Sequence, residues 1–439
     1  MEIRVFAPCI FPKLSYVIDA LNSHPISCSV GVKFVLLTDP TLEGRYRIQT
    51  REKIVHMHYE ERVFHWQHSF ESLYRFDQSL HANFEFVGLV RADGDFRGSE
   101  DFLAVDVIAT HFFASSRVEE YFFPRENLDS WGLMPENLHL AVRDGIHQIP
   151  YLDLNLRELL RFLGLAGSPW PNDFDVSVSY DFDVHRKISD PVEFVRTLLR
   201  LAVKNPFGLL PYTKDLIKSV YKWQDPYDIR KVSLARGTPC FLIVGGNHPF
   251  DPPISEKSMI QAIISDLEAM GCIIGFHPSY LASVTPYLFE EELSKLQSLC
   301  SLKVAKMRSH FLHQDPRVTP FLIESAGLLE DWTMGYNTEI GFRAGTCFPY
   351  QSFDLFNNCG RDLRIVPFSL MDSAVWYKAG RSVSTANWVI RSHVKNMQKW
   401  GLPIQMVFHN SVQIEQAWLG IQYPKKEKGS TPEWTALWQ

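Results

Sequence analysis

The chain has 439 residues, more than one ordinary hydrophobic core organises, so two domains are expected. Apolar residues make up 46% and charged residues 21%, as in ordinary globular proteins; the net charge of −6, with no basic stripe on an aromatic platform, argues against nucleic acid as a partner. The opening MEIRVFAPCIFP lacks the pattern of a signal peptide, no segment reaches the ~18 apolar residues of a membrane span, and seven scattered cysteines without Cys-x-x-Cys fit reduced thiols.

The first segment reads as strands over 3–6 and 32–37 with a helix over 14–21 between them. Residues 102–123 read as one long helix, with Leu103, Val107, Phe112 and Phe113 inward and Arg117, Glu119 and Glu120 in solvent. A helix over 155–163 stops at Gly164. The turn formers of 167–172 then mark the boundary between a domain of residues 1–166 and one of residues 167–439. The pattern beyond is strand 175–183, strand 240–244, and a helix capped by Ser255 with the stripe Ile260, Ile263, Ile264, Leu267 and Met270. There follow strand 272–276, helix 289–299, strand 302–308, helix 320–326, strand 364–370, helix 386–400 and strand 404–408. Strands alternating with helices predict a parallel sheet in an α/β fold. About seven of them predict a distorted (β/α) barrel with its chemistry at the C-terminal strand ends, preceded by a smaller α/β domain.

In Val176-Ser-Val-Ser-Tyr-Asp-Phe-Asp183, strand alternation puts Ser177, Ser179, Asp181 and Asp183 on one face and apolar residues on the other. Two carboxylates two residues apart lie roughly 7 Å apart, which suits one to hold a metal and the other to take a proton from its water. His277 ends the next buried strand, where a neutral imidazole can ligate. Arg308 and His310 share a face if their strand persists, and the guanidinium can fix a carboxylate; His313 has the wrong parity and is left out. His409 ends a later strand and fits a general acid, with Asp372 placed to orient it or to meet substrate. Gly341-Phe-Arg343-Ala-Gly-Thr-Cys-Phe-Pro-Tyr350 reads as a substrate-binding loop through Arg343 and Tyr350. Cys347 has no evident base to make it a nucleophile.

Taken in order, Ser179-Tyr-Asp-Phe-Asp183, Gly275-Phe-His-Pro-Ser-Tyr280, Arg308-Ser-His-Phe-Leu312, Gly341-Phe-Arg-Ala-Gly-Thr346, Met371-Asp372 and Phe408-His-Asn-Ser411 resemble the NodB-type polysaccharide deacetylase superfamily. They look closest to a bacterial branch with an extra N-terminal α/β domain, to part of which 115–121 is similar. The resemblance implies a divalent metal, zinc by preference, and an N-acetylated sugar or polysaccharide as substrate in surface polysaccharide synthesis. It implies Asp181 as base, Asp183 and His277 as metal ligands, Arg308 as the residue holding the base and His409 as the acid. The family's second metal histidine falls four residues after the first, where this chain has Leu281, so the third ligand is His310 or, failing that, His185. A glycan-binding protein that has lost its metal, or a glycoside hydrolase using Asp181, are the other readings. A cytoplasmic location, possible attachment to the inner membrane surface and an open oligomeric state complete the expectations.

Overall fold

The structure is a computed structural model describing residues 1–66, 74–81, 84–91, 99, 101–165, 174–183, 199, 234–252, 254–380 and 382–410. The 167–172 boundary and His185 lie outside these residues. Strands β1 (Glu2–Ala7), β2 (Lys33–Thr38), β3 (Arg45–Gln49), β4 (Ile54–His58) and, after the hairpin β5 (Tyr74–His81) and β6 (Phe84–Arg91), β7 (Phe102–Leu103) form the first region. They give a mixed sheet of order β2-β1-β3-β4-β7, with the β5-β6 hairpin separate. The predicted strands at 3–6 and 32–37 pair in parallel through the helix Pro12–Ser23.

The long helix expected over 102–123 is instead three pieces. Phe102–Leu103 pairs with β4. Asp106 then caps the helix Val107–Ser115 by accepting from the amides of Ile108 and Ala109 at 3.0 and 2.8 Å. Arg117 takes a left-handed φ of 57°, which ends that helix before the turn Val118–Tyr121. Arg117, Glu119 and Glu120, expected in solvent, are largely buried; Arg117 and Glu120 bond Gln314 and Arg343 of the second half, and Glu119 accepts from the Leu140 amide.

That half holds β8 (Val176–Phe182), β9 (Pro239–Leu242), β10 (Ile273–Phe276), β11 (Lys306–Met307), β12 (Glu330–Asp331), β13 (Tyr350–Asp354), β14 (Cys359–Ile365), β15 (Leu370–Met371) and β16 (Ile404–His409). Their order is β13-β14-β12-β11-β10-β9-β8-β16-β15, parallel throughout except for the β13-β14 hairpin. β9 and β10 are short and apolar, and all but their first residues are buried, as strands covered on both faces must be. Among the described residues the hydrogen-bonded sheet is open, with β13 and β15 at its ends, so closure of the distorted barrel that was expected is not seen. The strand expected at 364–370 is split because Pro367 has no amide for the ladder. On one side of that break Val366 still bonds Asp331 O at 2.8 Å; on the other Ser369 bonds Gln405 O at 3.1 Å. One chain segment thus serves β12 at its start and β16 at its end.

The strand expected at 302–308 shrinks to two residues, and β12, also two residues long, carries no periodic signal at all. The helix expected after Ser255 is Lys257–Ala269, with Glu256 at its N-cap position and no side-chain cap. The other helices fall where predicted, Tyr151–Phe162, Pro286–Gln297, Thr319–Ser325 and Val383–Trp400, with ends shifted by a few residues. One buried apolar cluster runs from Ile3 to Phe408, so the described parts of both halves share a core. Among the described residues, no helix is long and apolar enough to cross a membrane.

Candidate active site

Because β8, β9, β10, β11, β15 and β16 are parallel, their carboxyl ends share one edge of the sheet. Asp181 is the penultimate residue of β8, Asp183 follows β8, and His277 follows β10. Arg308 follows β11, Asp372 follows β15 and His409 ends β16. Residues far apart in sequence are gathered by that geometry alone.

Arg308 is completely buried and fills the space under Asp181. Its Nη1 donates to Asp181 Oδ1 at 2.6 Å, Nη2 to Ser179 Oγ at 2.7 Å and Nε to the Trp332 carbonyl at 3.0 Å. Its guanidinium lies 4.4 Å from the centre of the Phe241 ring. That ring can lie there because position 275 is glycine: a Cβ on Gly275 would overlap it. The sequence link is therefore Gly275, Phe241, Arg308, Asp181, each fixing the next. With Oδ1 committed to Arg308, Asp181 Oδ2 faces His409 Nε2 at 4.0 Å.

Asp372 holds His409 with both oxygens. Oδ1 accepts from the ring Nδ1 at 2.6 Å and Oδ2 from the His409 backbone amide at 2.8 Å. Ser373 N also donates to Oδ1, at 2.7 Å. Both oxygens are turned to the His409 and Ser373 side and the residue is buried, so the geometry favours the orienting role expected of Asp372 over substrate contact. Nε2 of His409 is thereby aimed at the carboxylates, 3.7 Å from Asp183 Oδ2. Burial disfavours the charged ring, but the carboxylates of Asp372, Asp183 and Asp181 outweigh it and push His409 up to about 10.

Asp183, His277 and His310 bring one ligand atom each to within 4.8 Å of one another. His277 Nε2 is 3.1 Å from Asp183 Oδ1, and His310 Nε2 is 4.0 Å from the same oxygen. His277 Nδ1 donates to the Arg308 carbonyl at 2.5 Å, which leaves Nε2 as the free lone pair. Burial would raise Asp183, yet His409, His277 and His310 hold its carboxyl far below the usual range. Strand parity was the wrong reason to select His310, since β11 stops at Met307 and His310 opens a 3-10 turn, His310–Leu312. His310 is nevertheless brought in, while Leu281 is partly exposed.

This donor set fits a divalent cation. Among the described residues Asp181, Asp183, Asp251 and Asp372 converge here against one guanidinium, that of Arg308. Buried negative charge in that excess demands a counter-cation or protonated rings. One carboxylate with two imidazoles is a set that suits zinc and keeps a coordination position open.

Arg343 and Tyr350 are not brought into this group. Arg343 donates to Glu120 through Nε at 3.1 Å and Nη2 at 2.5 Å, and to the Gly335 carbonyl at 3.1 Å. The glycines of its loop admit the chain itself rather than a ligand. Gly341 has φ +147° and a Cβ there would overlap the His147 carbonyl, while one on Gly345 would overlap the Tyr151 ring. The hydroxyl of Tyr350 is buried among described groups beside the same ion pairs. The expected substrate loop is thus a joint to the N-terminal half. Cys347 is buried, and burial with the nearby Asp153 carboxylate pushes its thiol well up, which disables it as a nucleophile.

Glu120 lies between Arg117, at 2.6 Å, and Arg343. Burial alone would raise its carboxyl, but the two guanidinium groups hold it far below the usual range. A depressed folded pKa contributes stability above the unfolded value near 4.5 that is lost as pH falls toward the folded value. Urea midpoints are therefore expected to fall on acidification below about pH 4.5, and Glu120→Gln, less stable at neutral pH, is expected to show a shallower fall. Equal acid slopes for the variant and the parent chain would contradict this account.

Asp251, on the loop after β9, was not selected from sequence. It accepts from His310 Nδ1 at 3.2 Å and is buried. Only its loop connection to a strand end hinted at it.

No family model matches the chain, and no curated protein matches it. Among solved structures, a chain from Mycobacterium smegmatis titled "putative polysaccharide deacetylase" aligns over 58% of this chain and 86% of its own, at 13% identity and a TM-score of 0.31. A likeness that slight carries no argument.

Proposed function

We propose that this chain is a metal-dependent hydrolase that removes the N-acyl group, acetyl by preference, from a sugar, either in a polysaccharide or in a nucleotide- or lipid-linked precursor. The single observation behind this reading is the Asp183, His277 and His310 group set between an Arg308-bound Asp181 and an Asp372-bound His409. We read residues 167–439 as an incompletely closed NodB-like barrel and residues 1–166 as an accessory domain, acting in the cytoplasm in surface polysaccharide synthesis.

Asp183, His277 and His310 would hold the ion, zinc by its ligand preference, which when bound supplies a lowered water pKa and a polarised carbonyl. Asp181, with Oδ1 fixed by Arg308, takes the proton of the attacking water at Oδ2. His409 carries a proton on Nε2 and gives it to the departing amine, so that acetate and an amino sugar leave. Asp372 keeps the His409 ring from turning and offsets its positive charge. Asp183 and His409 are the more accessible members of the group, at 16% and 14% side-chain exposure, so substrate arrives over them.

The test is acetate release by purified protein from N-acetylated oligosaccharides and sugar nucleotides. Release that stops with a chelator and returns with zinc supports the proposal. Turnover indifferent to chelation removes the metal from it. Glycan binding without acetate release and without bound metal would establish a non-catalytic binding protein, and new reducing ends without acetate would indicate a glycoside hydrolase.

A further inference from the structure

We infer that Asp251 is a positioning residue for the candidate metal centre: it fixes the tautomer and the ring plane of His310. This rests on the metal reading above and adds a residue to it.

The geometry is specific. Asp251 Oδ1 accepts from His310 Nδ1 at 3.2 Å and from the Tyr280 amide at 2.8 Å. Its Oδ2 accepts from the His248 amide at 3.1 Å. Both oxygens are occupied and the side chain is 1% exposed, so Asp251 acts through His310 and is not itself a ligand. With Nδ1–H directed to a carboxylate, the lone pair of His310 is left on Nε2, the nitrogen that faces Asp183. A carboxylate on the distal nitrogen also makes an imidazole a stronger donor.

The loop is built for this. Gly246, with φ +108°, passes so close that a Cβ there would crowd the Asp251 carboxylate and Ser279. Asp251 is thereby bonded across to the segment after β10, through Tyr280 N. His310 needs such an anchor. The residues after it, Phe311 and Leu312, have φ of 56° and 53°, left-handed values that cost each non-glycine residue energy. A ligand on a strained turn, beyond the end of its strand, has no ladder to fix its ring. His277 has a different arrangement: it follows a buried strand and bonds a backbone carbonyl.

The experiment measures zinc and cobalt(II) affinity by competition with a chromophoric chelator, together with the cobalt absorption spectrum. The variants are Asp251→Ala, Asp251→Asn and His310→Ala, with circular dichroism of each metal-free protein as the folding check. Asp251→Ala is expected to weaken binding by about 10–100-fold and to alter the cobalt spectrum. Asp251→Asn, whose amide oxygen still accepts from Nδ1, is expected to lose less, and it carries the test if the alanine variant does not fold. His310→Ala is expected to lose most of the affinity. Unchanged affinity in both Asp251 variants, with metal still bound by the parent chain, overturns the inference and leaves the metal reading standing. Unchanged affinity in His310→Ala overturns it as well. A parent chain that binds neither metal overturns both.

Discussion

Replacing Arg308 with methionine is expected to lower the free energy of unfolding by about 3–5 kcal/mol, measured by urea denaturation at neutral pH. Methionine keeps much of the volume against Phe241, so the loss comes from charge and hydrogen bonds rather than from a void. The substitution removes three hydrogen bonds from completely buried atoms and leaves the carboxylate of Asp181, itself 2% exposed, without its partner. A buried charge stripped of its counter-charge costs more than the intact pair contributes. The double variant with Asp181→Asn is therefore expected to recover part of the loss, by about 0.5–3 kcal/mol relative to additivity as for other contacting pairs, since no bare charge remains. Arg308→Lys is not expected to rescue, because an ammonium cannot serve Asp181, Ser179 and the Trp332 carbonyl at once. A methionine variant as stable as the parent would mean that the Asp181 charge is neutralised by something other than Arg308.

Much of this site could be read from the sequence because parallel strands convert sequence order into spatial convergence. Asp181, His277, Arg308 and His409 each stand at or next to the end of a strand-like run, and the sheet brings those ends to one edge. What could not be read is whatever depends on long-range contact. Arg343 beside two glycines looks like a ligand-binding loop until Glu120, 223 positions earlier, is seen to occupy the guanidinium. Arg117, Glu119 and Glu120 look solvated because charge on a helix face usually is, yet Arg117 and Glu120 are taken up by Gln314 and Arg343 of the second half and Glu119 by the Leu140 amide. Two-residue strands such as β11 and β12 are too short for periodicity, so the end of β11 at Met307 and the turn after Arg308 carry no signal. His310 reaches the site by a strained turn, and Asp251 by a loop with no regular structure to announce it. The distorted barrel was inferred from strand count, which says nothing of pairing; Pro367 interrupts the ladder between β14 and β15.

The second large effect separates proton transfer from metal binding. His409→Asn is expected to lower kcat for acetate release by about 10²–10⁴-fold, the range for a removed general acid. Asparagine is chosen because its side-chain amide can occupy the place of Nδ1 and still donate to Asp372 Oδ1, which His409 does now at 2.6 Å. Nothing then stands where Nε2 faces Asp181 and Asp183, at 4.0 and 3.7 Å. Asp372 keeps a partner, so stability is expected to fall little, and metal content is expected to match the parent because His409 is outside the Asp183, His277 and His310 group. Asp183→Ala is the contrasting case, losing metal and turnover together. A His409→Asn protein with kcat within a few-fold of the parent would assign the acid elsewhere, and His409 would then be a counter-charge to the carboxylates around it. A variant that loses its metal would instead make His409 part of what holds the ion. Because His409 Nε2 lies 3.7 Å from Asp183 Oδ2, beside the ligand set, paired measurement of turnover and metal content is what distinguishes a proton donor from a ligand.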